Sequence, residues 1–459
     1  RTLAARLRAG TLSPVALAEL SLHRLETIGP HYNAVVTVTR ERALAEARQA
    51  EAELKAGRSR GPLHGIPYGV KDLLATKGIP TTWGAEPYRD QVFDFDATVI
   101  TRLREAGAVL CAKLAMVELA GGMGYDRADA SFTGPGLTPW NTGFWSGGSS
   151  SGPGAAVSAR LVSFAIGSET SGSILTPSSY CGVTGLRPTY GLVSRHGAMA
   201  LSWTLDKLGP MTHCADDAGL VLAAIAGHDP ADASSVAKGF AWGSGAAPHA
   251  KRWRIAVPKG CVEKVQPAVR ENFEAALKVL GDRVEVTRDV EFPDLPWGPA
   301  VSAIVGCEGA SAFLDLIESG GVAKLRCPAD HTGAYANLMT PAVDYLQAMR
   351  LRGRMRAAMA TLFERFDAIA TPGRGTVAYP ADKSFAEAYP GISSGPPVIP
   401  AGNLTGCPAI ALHDGFGENG LPTSIAFLGA PFSERTLLEL GVAYQGRTDW
   451  HQRRPPQPK

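Results

Sequence analysis

The chain has 459 residues, a formal net charge of +2 and a hydrophobic fraction of 45%, which is ordinary for a soluble globular protein. Its basic residues are scattered and its apolar runs are shorter than about 18 residues, which argues against a nucleic-acid surface and a transmembrane helix. The seven cysteines are widely spaced without a C-x-x-C pair, so we expect reduced thiols and a cytoplasmic location.

The N-terminal part of the chain alternates helical and extended patterns. Ser13 and Pro14 predict a helix start, because serine caps the first turn and proline suits it. Residues 40–57 form a charged amphipathic helix pattern, and 65–74 reads as a short buried strand. A helix over 98–106 and a strand over 109–113 follow. This strand–helix–strand spacing favours an α/β fold with parallel neighbours.

The stretch from Trp145 to Arg187 is dense in glycine and serine and nearly free of charge. An apolar segment over 155–166 separates two Ser-Gly clusters, and the pattern reads loop, helix, strand, loop, helix. Flexible linkers contain no such core-forming segment. We therefore expect the loops at Ser149 and Ser173 to lie at the ends of buried elements, where sites are usually built.

The C-terminal half continues the alternation after a surface connection near 229–251, which is rich in alanine, serine and glycine. The predicted elements are a helix over 216–225, a strand over 253–257, a helix over 267–280, a strand over 284–286, a helix over 345–366, strands over 367–372 and 423–428, and a helix over 433–445. No internal repeat is visible.

Two familiar motif matches lack their structural context. Residues 148–152 match G-x-S-x-G, but the nucleophile elbow needs a preceding strand and 138–145 reads as loop. Residues 415–420 match G-x-G-x-x-G, but they precede a strand instead of joining a strand to a helix. His64 is the one histidine near a candidate site. These patterns predict neither a cofactor nor a metal.

Lys71 lies in an apolar strand between Val70 and Leu73. It is either a salt-bridged or snorkelling structural lysine, or a buried lysine that loses its charge and acts as a base. The neighbouring Asp72 should point to the opposite face of the strand. We therefore expect burial to lower the pKa of Lys71.

Glycine-, serine- and proline-rich segments occur in a fixed order along the chain. They are Gly65–Pro67 with Gly69–Asp72, Gly147–Gly152, Gly167–Ile174, Pro177 with Cys181–Thr189, Asn403–Gly406 with Pro408–Ala409, and Gly420–Pro422. Together they resemble the amidase signature family, the Ser–Ser–Lys amidohydrolases. The likeness spans nearly the whole chain and is weakest over 229–367.

The resemblance implies that Ser173 is the nucleophile, that Ser149 bridges the relay after a cis peptide bond, and that Lys71 is the base. It also implies an oxyanion hole formed by the backbone N–H groups of Thr170, Ser171, Gly172 and Ser173. The chemistry is coherent, because a serine hydroxyl becomes a good nucleophile only when a base takes its proton. Small residues around Ser173 also let several backbone donors converge on one oxygen.

The expected substrate side departs from the commonest family pattern. This side is implied to include Ala120, Gly121, Gly122 and Met123. Leu175 stands where an arginine is often found, and Leu114–Met116 replaces the usual Thr-Asn-Met. No obvious arginine remains in these motifs to hold a free α-carboxylate. We therefore expect an uncharged substrate.

The expected activity is hydrolysis of a small neutral amide, aryl amide or carbamate (urethane) through an acyl-enzyme, with an esterase side activity. The alternative is a glutamine amidotransferase A-type subunit, which generates ammonia for tRNA-dependent amidation. A binding protein on an inactive scaffold would require the loss of Lys71, Ser149 or Ser173, and all three are present.

The resemblance also implies the architecture. We expect one α/β/α domain over residues 1–459, with a mixed, mostly parallel central sheet covered by helices on both faces. A variable substrate-side region should lie near 290–400. We expect a monomer or homodimer, with no cofactor, no metal and no nucleic-acid partner.

Overall fold

A computed structural model describes residues 1–243, 252–392 and 398–458 of the protein. The β-strands are β1 Val35–Val38, β2 Pro67–Lys71, β3 Val109–Leu114, β4 Phe164–Glu169, β5 Thr184–Arg187, β6 Lys207–Thr212, β7 Trp253–Pro258, β8 Val284–Val290, β9 Ala368–Pro372, β10 Ala409–Phe416 and β11 Pro422–Leu428. The α-helices are α1 Thr2–Arg8, α2 Pro14–Thr27, α3 Arg40–Lys55, α4 Thr98–Glu105, α5 Ser151–Ser158, α6 Leu175–Cys181, α7 Ala215–Ile225, α8 Pro267–Leu280, α9 Trp297–Ala312, α10 Leu314–Glu318, α11 Pro328–Leu338, α12 Ala342–Arg365, α13 Phe385–Ala388, α14 Val398–Thr405 and α15 Glu434–Gln445.

Within the described ranges, the strands form one sheet in the order β1-β3-β2-β4-β6-β5-β10-β11-β9-β7-β8. The prediction of a single domain with a mixed sheet is confirmed. The prediction that the sheet is mostly parallel is wrong, because only four of the ten neighbouring pairs are parallel. The six antiparallel pairs are β1–β3, β4–β6, β5–β6, β5–β10, β10–β11 and β9–β11.

Helices cover both faces of the sheet, as predicted. Along β4, Phe164 and Ile166 pack into one core and Ala165 into another, because successive side chains alternate between faces. Helices α4, α7, α8 and α15 contribute to the first core. Helices α2, α3 and α5 cover one half of the opposite face, and α9, α12 and α14 cover the other half.

Most of the predicted elements are present. Ser13 caps α2, since its side chain accepts the backbone N–H of Ala16. The segment 145–187 gives α5, β4, α6 and β5, which confirms the predicted order of helix, strand, loop and helix. Part of the predicted connection, 244–251, lies outside the described residues, as does 393–397 within the variable region. All seven cysteines are free.

The sheet places the candidate site at the carboxyl edge of its parallel strands. Lys71 is the last residue of β2 and Glu169 is the last residue of β4, and these two strands are parallel neighbours. The loops that follow parallel strands meet at one edge, where sites of α/β proteins are commonly found. The loop 170–174 continues from Glu169 into α6 at this edge. None of the described helices is long and apolar enough to cross a membrane.

Candidate active site

The amine of Lys71 forms the centre of the site. Its side chain is completely buried, and its Nζ donates to Ser149 Oγ at 2.6 Å and to Ser168 Oγ at 2.9 Å. Burial lowers the pKa of Lys71 from its ordinary 10.5 to about 7, although the carboxylates of Asp206 and Glu169 act in the opposite direction. A neutral amine is therefore available near pH 7, as a general base requires.

Ser149 lies just before α5 and is held on both sides. The peptide bond between Gly148 and Ser149 is cis, as predicted. The Ser149 carbonyl accepts the backbone N–H of Val117 at 3.1 Å. Gly148 has no room for a side chain, because a Cβ there would lie 2.6 Å from Cζ2 of Trp145. The backbone thus fixes the Ser149 hydroxyl against Lys71.

Ser173 lies in the turn between β4 and α6. Its carbonyl accepts the backbone N–H of Ser150 at 3.2 Å, which joins the two serine loops. Its hydroxyl makes no hydrogen bond to any described residue, so the link from Ser149 to Ser173 that a relay needs is open in this structure. Catalytic hydrogen bonds of substrate-free enzymes often tighten only when substrate binds.

The backbone donors predicted to hold an oxyanion lie together on this turn. Within the described ranges, no protein group accepts from the backbone N–H groups of Thr170, Ser171, Gly172 and Ser173. Gly172 has a φ of +94°, which a residue with a side chain rarely adopts. Ser171 is exposed on this turn. The turn therefore presents consecutive donors that an incoming oxygen could occupy.

The carboxylate of Glu169 holds this turn in place through hydrogen bonds. Its Oε2 accepts the backbone N–H groups of Ile174 at 2.9 Å and Leu175 at 3.0 Å. Its Oε1 accepts from Arg187 Nη1 at 2.7 Å and from Asn403 Nδ2 at 3.0 Å. Burial favours the neutral acid, but nearby positive charges prevail and lower the pKa of Glu169 to about 2. An ionised carboxylate thus holds the backbone directly after the four donors.

Asp206 and Lys207 are two further buried ionisable residues beside this turn. Asp206 accepts from the Thr170 hydroxyl at 2.6 Å and from the backbone N–H groups of Leu201 and Ser202. Burial lowers the pKa of Lys207 well below its ordinary value, and its Nζ has no hydrogen-bond partner among the described residues. Lys207 pairs in register with Glu169 across β4 and β6.

Asp72 belongs to a different pair. Its carboxylate lies 2.8 Å from Nζ of Lys113, and both side chains are fully buried. It also accepts the backbone N–H of Thr82 at 3.0 Å. Asp72 is therefore engaged away from Lys71, which agrees with the expectation from strand alternation.

The predicted substrate residues lie around a kink after β3. Ala120 has a φ of +57° and lines a cavity of about 250 Å³ that also includes Ser168, Thr170 and Asp206. Gly121 and Gly122 follow in the same turn, where a Cβ would clash with neighbouring side chains. Met123 is buried in the main core. Ala120 therefore shares a cavity with Ser168, the residue whose hydroxyl contacts Lys71.

Sequence reasoning did not assign roles to several residues that complete the site. They are Ser168, Glu169, Arg187, Asn403 and Asp206. The first four lie inside the family-like segments, so a signal was present without an indication of which atoms meet. Asp206 lies outside those segments and reaches the site only because β6 pairs with β4.

The arrangement combines a buried amine, a hydroxyl bonded to it, and a turn with free backbone donors. These parts are typical of hydrolases that use lysine as the base for a serine nucleophile. Within the described residues, no group of histidine, cysteine, aspartate and glutamate side chains could hold a metal ion. The arrangement is chemically suited to a hydrolase.

Comparisons with known proteins agree with this class. The family model named Amidase matches residues 16–438. The A-type subunit of glutamyl-tRNA(Gln) amidotransferase from Moorella thermoacetica is 37% identical over 461 residues, which cover 95% of this chain and 93% of that protein. The native peptide amidase of Stenotrophomonas maltophilia has a TM-score of 0.85 and 30% identity, with 100% of this chain and 98% of that chain covered. A protein from a vestigial complex linked to the origin of an s-triazine catabolic enzyme has a TM-score of 0.89 and 29% identity, with 97% of each chain covered.

The chain belongs to the amidase signature family. It is an enzyme of the amidohydrolase type, which acts on carbon–nitrogen bonds.

Proposed function

We propose that the protein cleaves an amide bond through an acyl-enzyme on Ser173, with Lys71 as base and Ser149 as the bridge between them. The observation that carries the proposal is the 2.6 Å hydrogen bond from Lys71 to Ser149 in a fully buried site. A pKa of about 7 supports a neutral Lys71 at neutral pH. The relay requires the Ser149–Ser173 hydrogen bond to form when substrate binds.

In the proposed reaction, Lys71 takes the proton of the Ser149 hydroxyl while Ser149 takes that of Ser173. The Ser173 oxygen attacks the amide carbon, and the negative charge on the carbonyl oxygen is stabilised by the N–H groups of residues 170–173. The relay then returns the proton to the leaving nitrogen, and the carbon–nitrogen bond breaks. Water repeats the sequence and releases the acid.

Covalent labelling tests this assignment directly. A fluorophosphonate should form an adduct on Ser173, which peptide mass spectrometry locates, and Ser173→Ala should abolish the adduct. Ser150→Ala is the matched control and should still be labelled, since the Ser150 hydroxyl is bonded to the Ser168 backbone. An adduct on Ser150 would contradict the assignment and favour the G-x-S-x-G interpretation.

Glutamine is the leading candidate for the amide donor. The likeness to an A-type amidotransferase subunit covers nearly all of both chains and favours the alternative over the small neutral amide expected from the sequence. We propose that the chain releases ammonia from glutamine as one subunit of an amidotransferase. The seven free cysteines support a cytoplasmic location.

Arg374, a cation beside Tyr180 of α6, also favours glutamine. Its guanidinium lies 6.0 Å from the ring centre of Tyr180, and its buried Nε has no hydrogen-bond partner among the described residues. Tyr180 belongs to α6, and its ring neighbours Trp145, which packs against Gly148. A guanidinium with an unused donor suits a carboxylate, such as that of glutamine.

A small neutral amide or carbamate is the second candidate. The likeness to a peptide amidase covers the whole chain. The aromatic cluster beside Gly148, in which the rings of Trp145 and Tyr379 are 5.1 Å apart, offers an apolar surface for an acyl or aryl group. Urethane and ester cleavage belong to this candidate.

A substrate panel separates the two candidates. The chain is purified from its own cells under mild conditions with an affinity tag, and ammonia or amine release is measured with glutamine, asparagine, an aryl amide and an aryl carbamate. The glutamine candidate predicts the highest kcat/KM with glutamine and a complex of defined stoichiometry by light scattering. A free monomer or homodimer that prefers the aryl amide or carbamate would establish the second candidate instead.

A further inference from the structure

Ser168 has not entered the proposed relay, yet its hydroxyl contacts the same amine. Its Oγ accepts from Lys71 Nζ at 2.9 Å. Ser150 fixes the backbone on which this hydroxyl sits, since Ser150 Oγ donates to the Ser168 carbonyl at 3.1 Å and accepts the Ser168 N–H at 3.3 Å. Ser168 is itself almost completely buried. Its oxygen therefore occupies a defined position beside Lys71.

We propose that Ser168 is a positioning residue that accepts one N–H of Lys71 and so directs the amine towards Ser149. A neutral amine has two N–H donors and one lone pair, and the lone pair must face the hydroxyl whose proton it takes. An acceptor at Ser168 restricts rotation about the Cε–Nζ bond of Lys71. The buried amine has no contact with solvent that could orient it instead. This role rests on the proposed function of Lys71 as the base.

The charges around the amine make this contact important for the protonated form as well. The ionisable side chains around the amine are Glu169 at the end of β4, Asp206 just before β6, Lys207 at its start, and Asp72 paired with Lys113 on β3. Among the described residues, no carboxylate forms an ion pair with Lys71. The Ser149 and Ser168 oxygens are therefore the direct acceptors of its ammonium form. Loss of one acceptor disfavours the ammonium form more than the neutral amine.

The cavity beside Ser168 allows a conservative test. Ser168 lines the space of about 250 Å³ together with Ala120 and Leu73, so the extra methyl group of a threonine has room there. Ser168→Ala removes the acceptor, whereas Ser168→Thr keeps it. Ser158→Ala is the matched control, because Ser158 is a buried serine of α5 whose hydroxyl has no partner among the described residues.

Two readouts separate this proposal from the proposed function. Protein labelled with ¹³C at the lysine ε-carbons reports the titration of Lys71 by NMR, independently of activity, and the signal is assigned by its loss in Lys71→Ala. The pH profile of kcat/KM reports the catalytic base. In Ser168→Ala we expect the Lys71 midpoint to fall by about one pH unit, since a hydrogen bond to a charged group is stronger than one to a neutral group by roughly that amount. We also expect the plateau rate to fall by about tenfold, as for a misplaced catalytic group.

Ser168→Thr should restore both the midpoint and the rate, and Ser158→Ala should match the wild type. An unchanged NMR midpoint in Ser168→Ala would overturn the proposal for Ser168. A midpoint that shifts without any shift in the pH profile of activity would keep Ser168 as the partner of Lys71 but would refute Lys71 as the base.

Discussion

Replacement of Lys71 by methionine tests whether this lysine is held neutral by the fold. Methionine has a similar length and no charge, so it fills the same buried space without a proton to gain or lose. The wild-type lysine has a pKa of about 7 in the folded protein and 10.5 ordinarily. Between these values the unfolded chain binds a proton that the folded protein does not.

The sign of the pH effect follows from this difference. Because unfolding takes up a proton between pH 7 and 10.5, the contribution of Lys71 to the free energy of unfolding rises with pH across this window. Below pH 7 both states are protonated, and the full cost of burying the charge is present. The fall from 10.5 to about 7 corresponds to about 5 kcal/mol, at about 1.4 kcal/mol per pKa unit.

The assay compares the free energy of unfolding in urea for wild type and Lys71→Met at pH 7, 8 and 9. The advantage of Lys71→Met should be largest at pH 7 and should shrink by about 1.4 kcal/mol per pH unit towards pH 9. Turnover by Lys71→Met should be lost throughout. Wild-type activity should rise with pH through one ionisation near 7 and then level off.

Two results would refute the reasoning. A stability difference that does not change with pH would mean that Lys71 keeps its proton in the folded protein. Near-normal turnover by Lys71→Arg would show that no deprotonation is needed, since a guanidinium stays charged throughout this range. Lys71→Ala serves as a second inactive variant that leaves no buried charge.

Further predictions concern residues around the base. Glu169→Gln leaves Arg187 buried without its carboxylate, so the free energy of unfolding should fall by about 3–5 kcal/mol. Glu169→Gln with Arg187→Met should recover stability in urea but not turnover, and recovered turnover would contradict a role for Glu169 in shaping the donor turn. Asp72→Asn leaves the buried Lys113 without its carboxylate partner, so the free energy of unfolding should fall by a similar amount, while the pH midpoint of activity stays unchanged. A moved midpoint would place Asp72 in the relay. Gly152→Ala should lower Tm sharply, because its Cβ would lie 2.5 Å from the Ala34 carbonyl oxygen; an unaltered Tm would refute that clash.

Some of the strands that the sequence predicted, such as β3 and β9, consist mainly of apolar residues. β6 was not predicted, because it contains Gly209 and Pro210, which usually argue against a central strand. β6 nevertheless lies in the middle of the sheet, between β4 and β5. β10 was not predicted either, although its first four residues are apolar; it pairs with β11, which follows it in the chain, and with the distant β5. The parallel majority expected for the sheet fails because these strands run antiparallel to their neighbours.

The site likewise combines residues from short local motifs with residues that are distant in the sequence. The positions of Lys71 and Ser149 follow from short motifs whose backbone sets the geometry, so a resemblance could identify them. The partners of Glu169 could not be read from motifs, because Arg187 lies 18 residues away and Asn403 lies 234 residues away in the sequence. The folded chain brings Arg187 of β5 and Asn403 of α14 to the same carboxylate oxygen.

Leu175 is one ground for expecting a neutral substrate, and the structure removes that support. Its side chain is only 2% exposed and packs in the core with Leu205 and Leu404, so it faces away from solvent. Its burial in this cluster gives no evidence of a contact between Leu175 and a substrate. A cation for a substrate carboxylate has to come from another part of the chain.

Arg374, whose guanidinium lies beside Tyr180, is the residue proposed above for this role. If it binds the carboxylate of glutamine, Arg374→Met should lower kcat/KM for glutamine by about 30-fold, equivalent to the roughly 2 kcal/mol of a charged hydrogen-bond pair. The loss should appear mainly in KM, because a carboxylate remote from the reacting carbon is bound equally in the ground and transition states. Hydrolysis of a neutral aryl amide is the control and should change by less than about twofold, as expected for a group that this substrate does not contact. An equal loss with both substrates would mean that Arg374 supports the fold around Tyr180 and that the carboxylate is held elsewhere.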